Sequence, residues 1–512
     1  MQIGLSQRVV LGAPGCGKTT RLLSILENEM DSGVNPGRVA YVSFTRKAVK
    51  EAQDRAAVKF GFSYQDMPYY RTVHSLCFQQ LGASKRDVLG AAHLDDIAKL
   101  LGIQFTGAYD EDGTGMPTGG ADGDQFLFLD NLARARQVSL KEVYQEQDNP
   151  PFSWFQLKQF SDMLTQYKKD TGLLDFTDML VRYVETGTPV DVDVAVIDEA
   201  QDLSRLQWCV IKKAFQNAKR VYVAGDDDQA IYTWSGADVA TFLQLEGTQE
   251  ILNQSYRLPS LIHRLSQTLI TGVSNRFEKI FLPRSDEGTI QYHTYPDMVD
   301  LGAEGSWLFL ARNVYQTAAY ERSLKLAGET FITRYGYSSV KQASYLAIRT
   351  WERLRKGTPQ LGGDIKQMYD YLRVGHCLKR GAKAGLSLVD EQYYTITQLE
   401  QDSGLQMTQL PWHEALIGIP LGEREYYLSV LRRHGTKALS TPPRMQVSTI
   451  HGAKGGEADN VVLLTDMAKK SYDGYRQQAD PETRVFYVGV TRTKKALHIV
   501  QPQSTMFFNL RG

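Results

Sequence analysis

The sequence predicts an α/β protein built from two parallel-sheet cores, each interrupted by a mostly helical insertion. Three observations carry this. Short β-branched runs alternate with helical periodicity at the start of the chain, the alternation returns further on, and the stretches between are helix-rich. A chain of 512 residues has room for roughly three to five domains or subdomains.

Residues 8–11, Arg8-Val9-Val10-Leu11, read as a strand that runs into glycine. Leu22, Leu23, Ile25, Leu26 and Met30 then recur at helical spacing. Residues 38–44 read as a second strand and 46–58 as a second helix. Parallel neighbours need a crossover, so strand–helix–strand–helix implies a parallel sheet. Residues 82–170 turn mainly helical, broken by 107–124, a stretch of six glycines and five acidic residues without Lys or Arg that reads as a mobile surface loop. Strands return at 192–197 and 220–224. A second α/β set begins at Ile290 and includes 307–310; 338–440 is helix-rich; strands resume at 446–449, 461–464 and 497–500. No fixed-period repeat is visible.

Composition narrows the function. Hydrophobic residues make up 42% and charged residues 23%, close to the globular average, so the chain is neither a disordered tail nor a fibre. Lys+Arg and Asp+Glu are both 58. That balance argues against a wholesale basic coat but not against a basic groove offset elsewhere. No stretch reaches the roughly 20 apolar residues of a membrane span. The start, MQIGLSQRVVLGAPG, lacks the charged and apolar regions of a signal peptide. Cys16, Cys77, Cys209 and Cys377 are far apart, so neither a disulfide framework nor a zinc site is expected, and the cytoplasm is the expected location.

Gly12-Ala13-Pro14-Gly15-Cys16-Gly17-Lys18-Thr19 fits G-x-x-x-x-G-K-[ST], between a strand and a helix. The glycines let backbone N–H groups turn toward phosphate oxygens, and the helix N-terminus adds its positive end. Lys18 would reach the β- and γ-phosphates and the Thr19 hydroxyl would meet Mg²⁺, with Thr20 next in the cradle. The second ligand should be an acid ending an apolar strand, and Val194-Ala195-Val196-Ile197-Asp198-Glu199 supplies it. Asp198 would hold Mg²⁺; Glu199 would orient the attacking water or take its proton. The pair predicts a nucleoside triphosphatase. The second core holds no such glycine loop, so it is expected to complete the single nucleotide site from outside.

Asp198-Glu199-Ala200-Gln201-Asp202 resembles the second motif of superfamily 1 helicases, and further segments narrow the resemblance to the UvrD/Rep/PcrA-like group (superfamily 1A). Gly225 to Ala237, GDDDQAIYTWSGA, resembles motif III; Asn253-Gln254-Ser255-Tyr256-Arg257, motif IV; Thr449 to Glu457, TIHGAKGGE, motif V; and Glu482 to Arg492, ETRVFYVGVTR, motif VI. Ser43 to Ala48 is similar to motif Ia and Arg71 to Ser75 to motif Ib. With the phosphate loop, the motifs run in family order from residue 12 to 492.

The resemblance implies two tandem RecA-like P-loop NTPase cores: residues 1–85 with 171–255, split by 86–170, and residues 256–337 with 441–512, split by a reduced insertion at 338–440. It implies ATP and Mg²⁺ as cofactors, and single-stranded DNA and single-strand/duplex junctions as partners. The activity implied is an ATP-dependent DNA helicase or translocase moving 3′ to 5′, in replication or repair. Gln229 would sense the γ-phosphate, Arg257 and Arg492 would be arginine fingers, Tyr256 would stack on adenine and Glu457 would accept from the ribose. Thr45, Arg46, Thr72, His74, Thr449 and His451 would line the strand path. Trp234 and Tyr232 would offer aromatic faces, with Tyr232 packing between the cores as the alternative. Asp175 to Leu180 reads as structural.

Four departures are visible. The family's glutamine-bearing helix lies about twenty residues before the loop lysine; here Lys18 has 17 residues before it and Gln7 stands closer, so the resemblance does not carry strict adenine specificity over to this sequence. Ser235 replaces a usual arginine. Gly456 and Ala458 replace leucine and phenylalanine. The second insertion is short. These leave three alternatives: a translocase that strips proteins from DNA but unwinds weakly, an ATP- and DNA-binding regulatory subunit, or a helicase acting on RNA. A nuclease fusion is not expected in the 20 residues after Arg492.

Overall fold

The computed structural model describes residues 1–109 and 116–510. The first sheet contains β1 (Gln7–Gly12), β2 (Val39–Ser43), β3 (Tyr69–Thr72), β4 (Val194–Asp198), β5 (Arg220–Gly225) and β6 (Thr248–Leu252), in the order β3-β2-β4-β5-β1-β6. Every pair is parallel. Helices cover both faces, so β2 and β4 are buried along their whole length and read as unbroken apolar runs. The connection from β3 to β4 carries the first insertion. Its helices Ala91–Leu101, Asp122–Arg136 and Trp154–Thr171 close around Ile97, Phe126, Leu157 and Phe160.

The second half repeats the plan. It contains β7 (Thr289–His293), β8 (Trp307–Ala311) and β9 (Phe331–Ile332), a two-stranded antiparallel ribbon of β10 (Gln360–Leu361) and β11 (Tyr393–Tyr394), then β12 (Met445–Thr449), β13 (Ala458–Leu464) and β14 (Thr493–Val500). The sheet order is β7-β14-β13-β8-β12-β9, all parallel. Between β9 and β12 a helical insertion packs its own core around Trp351, Met368, Leu399 and Tyr427. The fold is thus two tandem RecA-like α/β cores with helical insertions, as the sequence predicts. One hydrophobic cluster runs from Val9, Leu11 and Ile197 of the first sheet to Leu310 and Val461 of the second and Phe486 of the helix Ala479–Val490, through Ile231, Tyr232, Leu258 and Ile450. The cores therefore touch directly.

The structure departs from the sequence reading in places. β3, β6 and β9 are strands that the apolar pattern does not announce, and all three lie at sheet edges, where one side needs no apolar cover. Within the 107–124 stretch, Asp122 to Asp124 form the first turn of the helix Asp122–Arg136 rather than loop. The Asp124 carboxylate accepts from the backbone N–H of Thr106 (3.1 Å) and Ala121 (3.2 Å), which ties the helix start down. Residues 110–115 of that stretch lie outside the described residues. All four cysteines are free. Among the described residues no helix is long and apolar enough to cross a membrane.

Candidate functional site

β1 delivers the chain to Gly12, and the helix Lys18–Asp31 carries it away. The loop between them needs its glycines. Gly15 and Gly17 adopt φ of 72° and 79°, a region that L side chains avoid. A Cβ on Gly12 would stand 2.3 Å from Cys16 Sγ, and one on Gly15 2.3 Å from Arg257 Cβ. Lys18 Nζ donates to the Gly12 carbonyl at 3.0 Å. Burial opposes its charge, but Cys16 and the acids Glu199, Asp226 and Asp198 outweigh that and raise its pKa.

β4 runs parallel to β2 and ends at Asp198. Tyr41, one strand over, donates its hydroxyl to Asp198 Oδ2 at 2.5 Å, and the Glu199 backbone N–H donates to Oδ1 at 2.9 Å. Burial, then the neighbouring Glu199, push Asp198 up to about 6. Glu199 sits at φ 51°, an unusual conformation for a non-glycine residue, and its Oε2 accepts from Gln201 Nε2 at 2.6 Å. Burial works against the Glu199 charge too, yet Lys18 and Lys454 hold its pKa below the ordinary glutamate value. Two adjacent carboxylates facing one lysine leave negative charge that a divalent cation would neutralise. The Thr19 hydroxyl, Asp198 and the glycine cradle therefore fit a Mg²⁺–triphosphate.

The second core closes the cleft. The Tyr256 backbone N–H donates to the Gly15 carbonyl (2.8 Å), and Ser255 Oγ donates to the Pro14 carbonyl (2.8 Å). Tyr256 is 71% exposed, with its ring edge close to Gly17, so its face is open. Arg257 Nε donates to Glu457 Oε2 at 2.7 Å and Nη1 to the Thr491 carbonyl at 3.2 Å. Arg492 is 1% exposed; its Nη2 donates to Gln229 Oε1 at 2.6 Å and its Nη1 to the Gly456 carbonyl at 3.2 Å. Burial, then Arg257, lower its pKa to about 9, and among the described residues no carboxylate pairs with it. A buried guanidinium without a counter-anion is poised for an anionic ligand. The cavity bounded by the glycine loop, Thr20, Asp198, Glu199, Gln229 and both arginines measures about 490 Å³.

A UvrD/REP helicase N-terminal domain model matches residues 2–250, and a UvrD-like helicase C-terminal domain model matches 427–504. This chain belongs to the UvrD-like helicase family. It is 24% identical over 306 residues to the ATP-dependent DNA helicase PcrA of Bacillus subtilis, covering 55% of this chain and 39% of the relative. It is 25% identical over 312 residues to the probable DNA helicase II homolog of Mycoplasma capricolum, covering 55% and 41%. The chain thus spans about two fifths of the length of these curated relatives. A solved complex of Arterivirus nonstructural protein 10 (helicase) with DNA matches over 99% of this chain and 63% of its own, at 10% identity and a TM-score of 0.33.

The nucleic-acid candidates of this UvrD-like chain divide into open and closed positions. Arg46 is exposed. Thr45 and Thr72 cap the helices Arg46–Phe60 and Val73–Gln80, accepting from the backbone N–H of Ala48 (3.2 Å) and Ser75 (3.3 Å). His74 lies edge-on to Phe176, and burial lowers its pKa to about 4, so the ring is neutral. Thr449 Oγ1 accepts from the Gly452 N–H at 3.0 Å. Trp234 is half-buried and stacks on Phe128 of the first insertion at 6.2 Å. Tyr232 corrects one expectation: it is 2% exposed, tilts onto Phe44, meets His451 edge-on and has Lys454 over its ring at 5.0 Å. Packing between the cores, not an open face for a base, is its observed place. His451 is buried in the same seam, with Nε2 at 3.2 Å from the Ile231 carbonyl, and burial keeps it neutral.

Sequence reasoning passed over several residues at this seam. Lys454 pairs with the Asp202 carboxylate and donates to the Gln229 carbonyl at 2.7 Å. Burial pushes Asp202 up to about 7 against the pull of Lys454. Both stand inside quoted motifs, so the signal was present without a role attached. Arg276 and Lys279 lie outside the quoted motifs and Arg484 inside the last of them, and all three meet Asp227 or Asp228 only in the fold.

Proposed function

We propose that this chain is an ATP-dependent DNA translocase and helicase that moves 3′ to 5′ on single-stranded DNA. The observation that carries the reading is the join at the glycine loop: Arg257 and Arg492 reach it from the second core, and Gln229 of the first core bonds Arg492 at 2.6 Å. A planar guanidinium suits the charge spread over a transferring phosphoryl group.

In this reading Lys18 and the loop N–H groups hold the β- and γ-phosphates, Tyr256 stacks on the base, and Glu457 accepts from the ribose. Thr19 and Asp198 would hold Mg²⁺, which neutralises phosphate charge. Glu199 orients the attacking water and takes its proton. Arg257 and Arg492 engage the γ-phosphate, so both cores close on bound ATP and separate when phosphate leaves. Gln229, Lys454, Tyr232 and the buried His451, which the structure sets in the seam rather than on the open path, connect that closure to the strand path formed by Thr45, Arg46, Thr72, His74, Trp234 and Thr449. Opening one base-pair step costs about 1.4 kcal/mol, a small demand on one hydrolysis event. The same reading divides the chain into cores at 1–85 with 171–255 and 256–337 with 441–512, and places its work in the cytoplasm, on DNA and at single-strand/duplex junctions. The separate hydrophobic clusters of the two insertions support that division.

The test compares the unmodified chain with Lys18→Ala in ATP hydrolysis stimulated by single-stranded DNA and in strand separation on a 3′-tailed duplex. Both activities are expected in the first and neither in the second. Hydrolysis without strand separation would reduce the reading to translocation, and stimulation by RNA alone would replace the substrate.

A further inference from the structure

At the seam between the cores, three consecutive buried carboxylates meet cations from the second half of the chain. Lys279, 3% exposed, contacts all three: Asp226 Oδ1 at 3.2 Å, the Asp227 carboxylate, and Asp228 Oδ2 at 3.0 Å. Arg276 grips Asp228 through two hydrogen bonds of 2.8 and 2.7 Å. The Phe277 N–H donates to Asp227 Oδ2 at 2.9 Å, and Arg484 Nε donates to the Asp227 carbonyl at 3.0 Å.

The cluster does not end there. Asp226 Oδ2, the oxygen not facing Lys279, accepts from Gln229 Nε2 at 2.7 Å. Gln229 Oε1 then accepts from Arg492 Nη2 at 2.6 Å. An ionised carboxylate only accepts and a guanidinium only donates, so the amide between them has one workable orientation. An Asp226 drawn out of place would free the amide to turn its NH₂ toward Arg492, where two donors would meet.

We propose that Lys279 is a positioning residue for the nucleotide site: paired with Asp226, it fixes the Gln229 amide with its oxygen toward Arg492. Burial opposes the Asp226 charge, and Lys279, followed by Lys18, outweighs it. Lys279 and Lys18 therefore hold the same carboxylate from opposite sides of the seam. The chain of contacts is Lys279 to Asp226 to Gln229 to Arg492, from a buried charge cluster to the arginine finger. This rests on the nucleotide site proposed above.

The experiment uses two full-length variants of equal charge. Lys279→Met/Asp227→Asn removes one cation and one anion but leaves Asp226 without its partner. Lys279→Met/Asp226→Asn makes the same charge change but gives Gln229 a neutral oxygen that needs no cation. The first is expected to lose about tenfold in kcat for DNA-stimulated ATP hydrolysis, with KM for ATP within about threefold, and the second to recover most of that loss. Equal kcat in the two variants would mean that Lys279 only balances charge, and would overturn the proposal. A crystal structure of Lys279→Met/Asp227→Asn reads the contact without turnover: loss of the Gln229–Arg492 hydrogen bond supports the proposal and its retention overturns it. If the unmodified chain hydrolyses no ATP, the functional reading fails, and the crystal structure still decides this one.

Discussion

The two cores offer opposite ends of similar sheets to one cleft. The first uses the carboxyl ends of its strands: β1 runs into the glycine loop, β4 ends at Asp198, and β5 ends at Gly225 just before Asp226. The second adds amino ends, with Glu457 immediately before β13 and Arg492 immediately before β14, beside Lys454 from the loop after β12. A carboxyl end followed by a helix offers N–H groups and a positive dipole to an anion. The amino end of β14 follows the helix Ala479–Val490, whose carbonyl end offers no such donors, so a cationic side chain must do the work. In the function proposed above, the first core holds the triphosphate and the second completes its site.

The predictions sharpen that division. Glu199→Gln keeps the shape of the first core's carboxylate but removes the base, and is expected to cost about 10²–10⁴ in kcat while nucleotide binding survives, read by single-turnover hydrolysis beside fluorescent-nucleotide titration. Tyr256→Ala removes the open face that the second core lays beside the loop. A stacked base is worth about 1–3 kcal/mol, so KM for ATP should rise about fivefold or more with little change in kcat. If KM stays put, the base is read elsewhere.

The smallest effect lies far from the cleft, on the edge of the second sheet. His293 Nε2 meets His498 Nδ1 at 3.1 Å, and Trp307 stacks on His498. Burial, then His293, lower His498 to about 4. The pair is neutral when folded and takes up protons near 6.5 when unfolded, so the stability it supports is complete above about pH 6.5 and is lost as pH falls toward 4. His498→Gln should flatten the fall of Tm across that window. An unchanged slope would place the acid sensitivity in another group.

Much of this was legible in the sequence where chemistry is local. The glycine loop and the strand ending in Asp198-Glu199 are contiguous, so spacing alone placed them. Central strands such as β4 are apolar on both faces and stand out; β3 and β6, at the edges, mix polar residues into both and do not. Tyr232 shows a different limit. A stacking tyrosine and a core tyrosine have the same composition, and only the packing of Phe44, His451 and Lys454 around it decides. Lys279 meets Asp227 across 52 positions of chain, and no spacing rule links them.

In the proposed function the first core binds the nucleotide and the second core's guanidinium completes the site for hydrolysis. Arg492→Ala, assayed for ATP affinity by fluorescent-nucleotide titration and for DNA-stimulated turnover, tests it most directly. Affinity is expected to stay within about fivefold of the unmodified chain and kcat to fall by about 10³ or more. Turnover at the unmodified rate would contradict it.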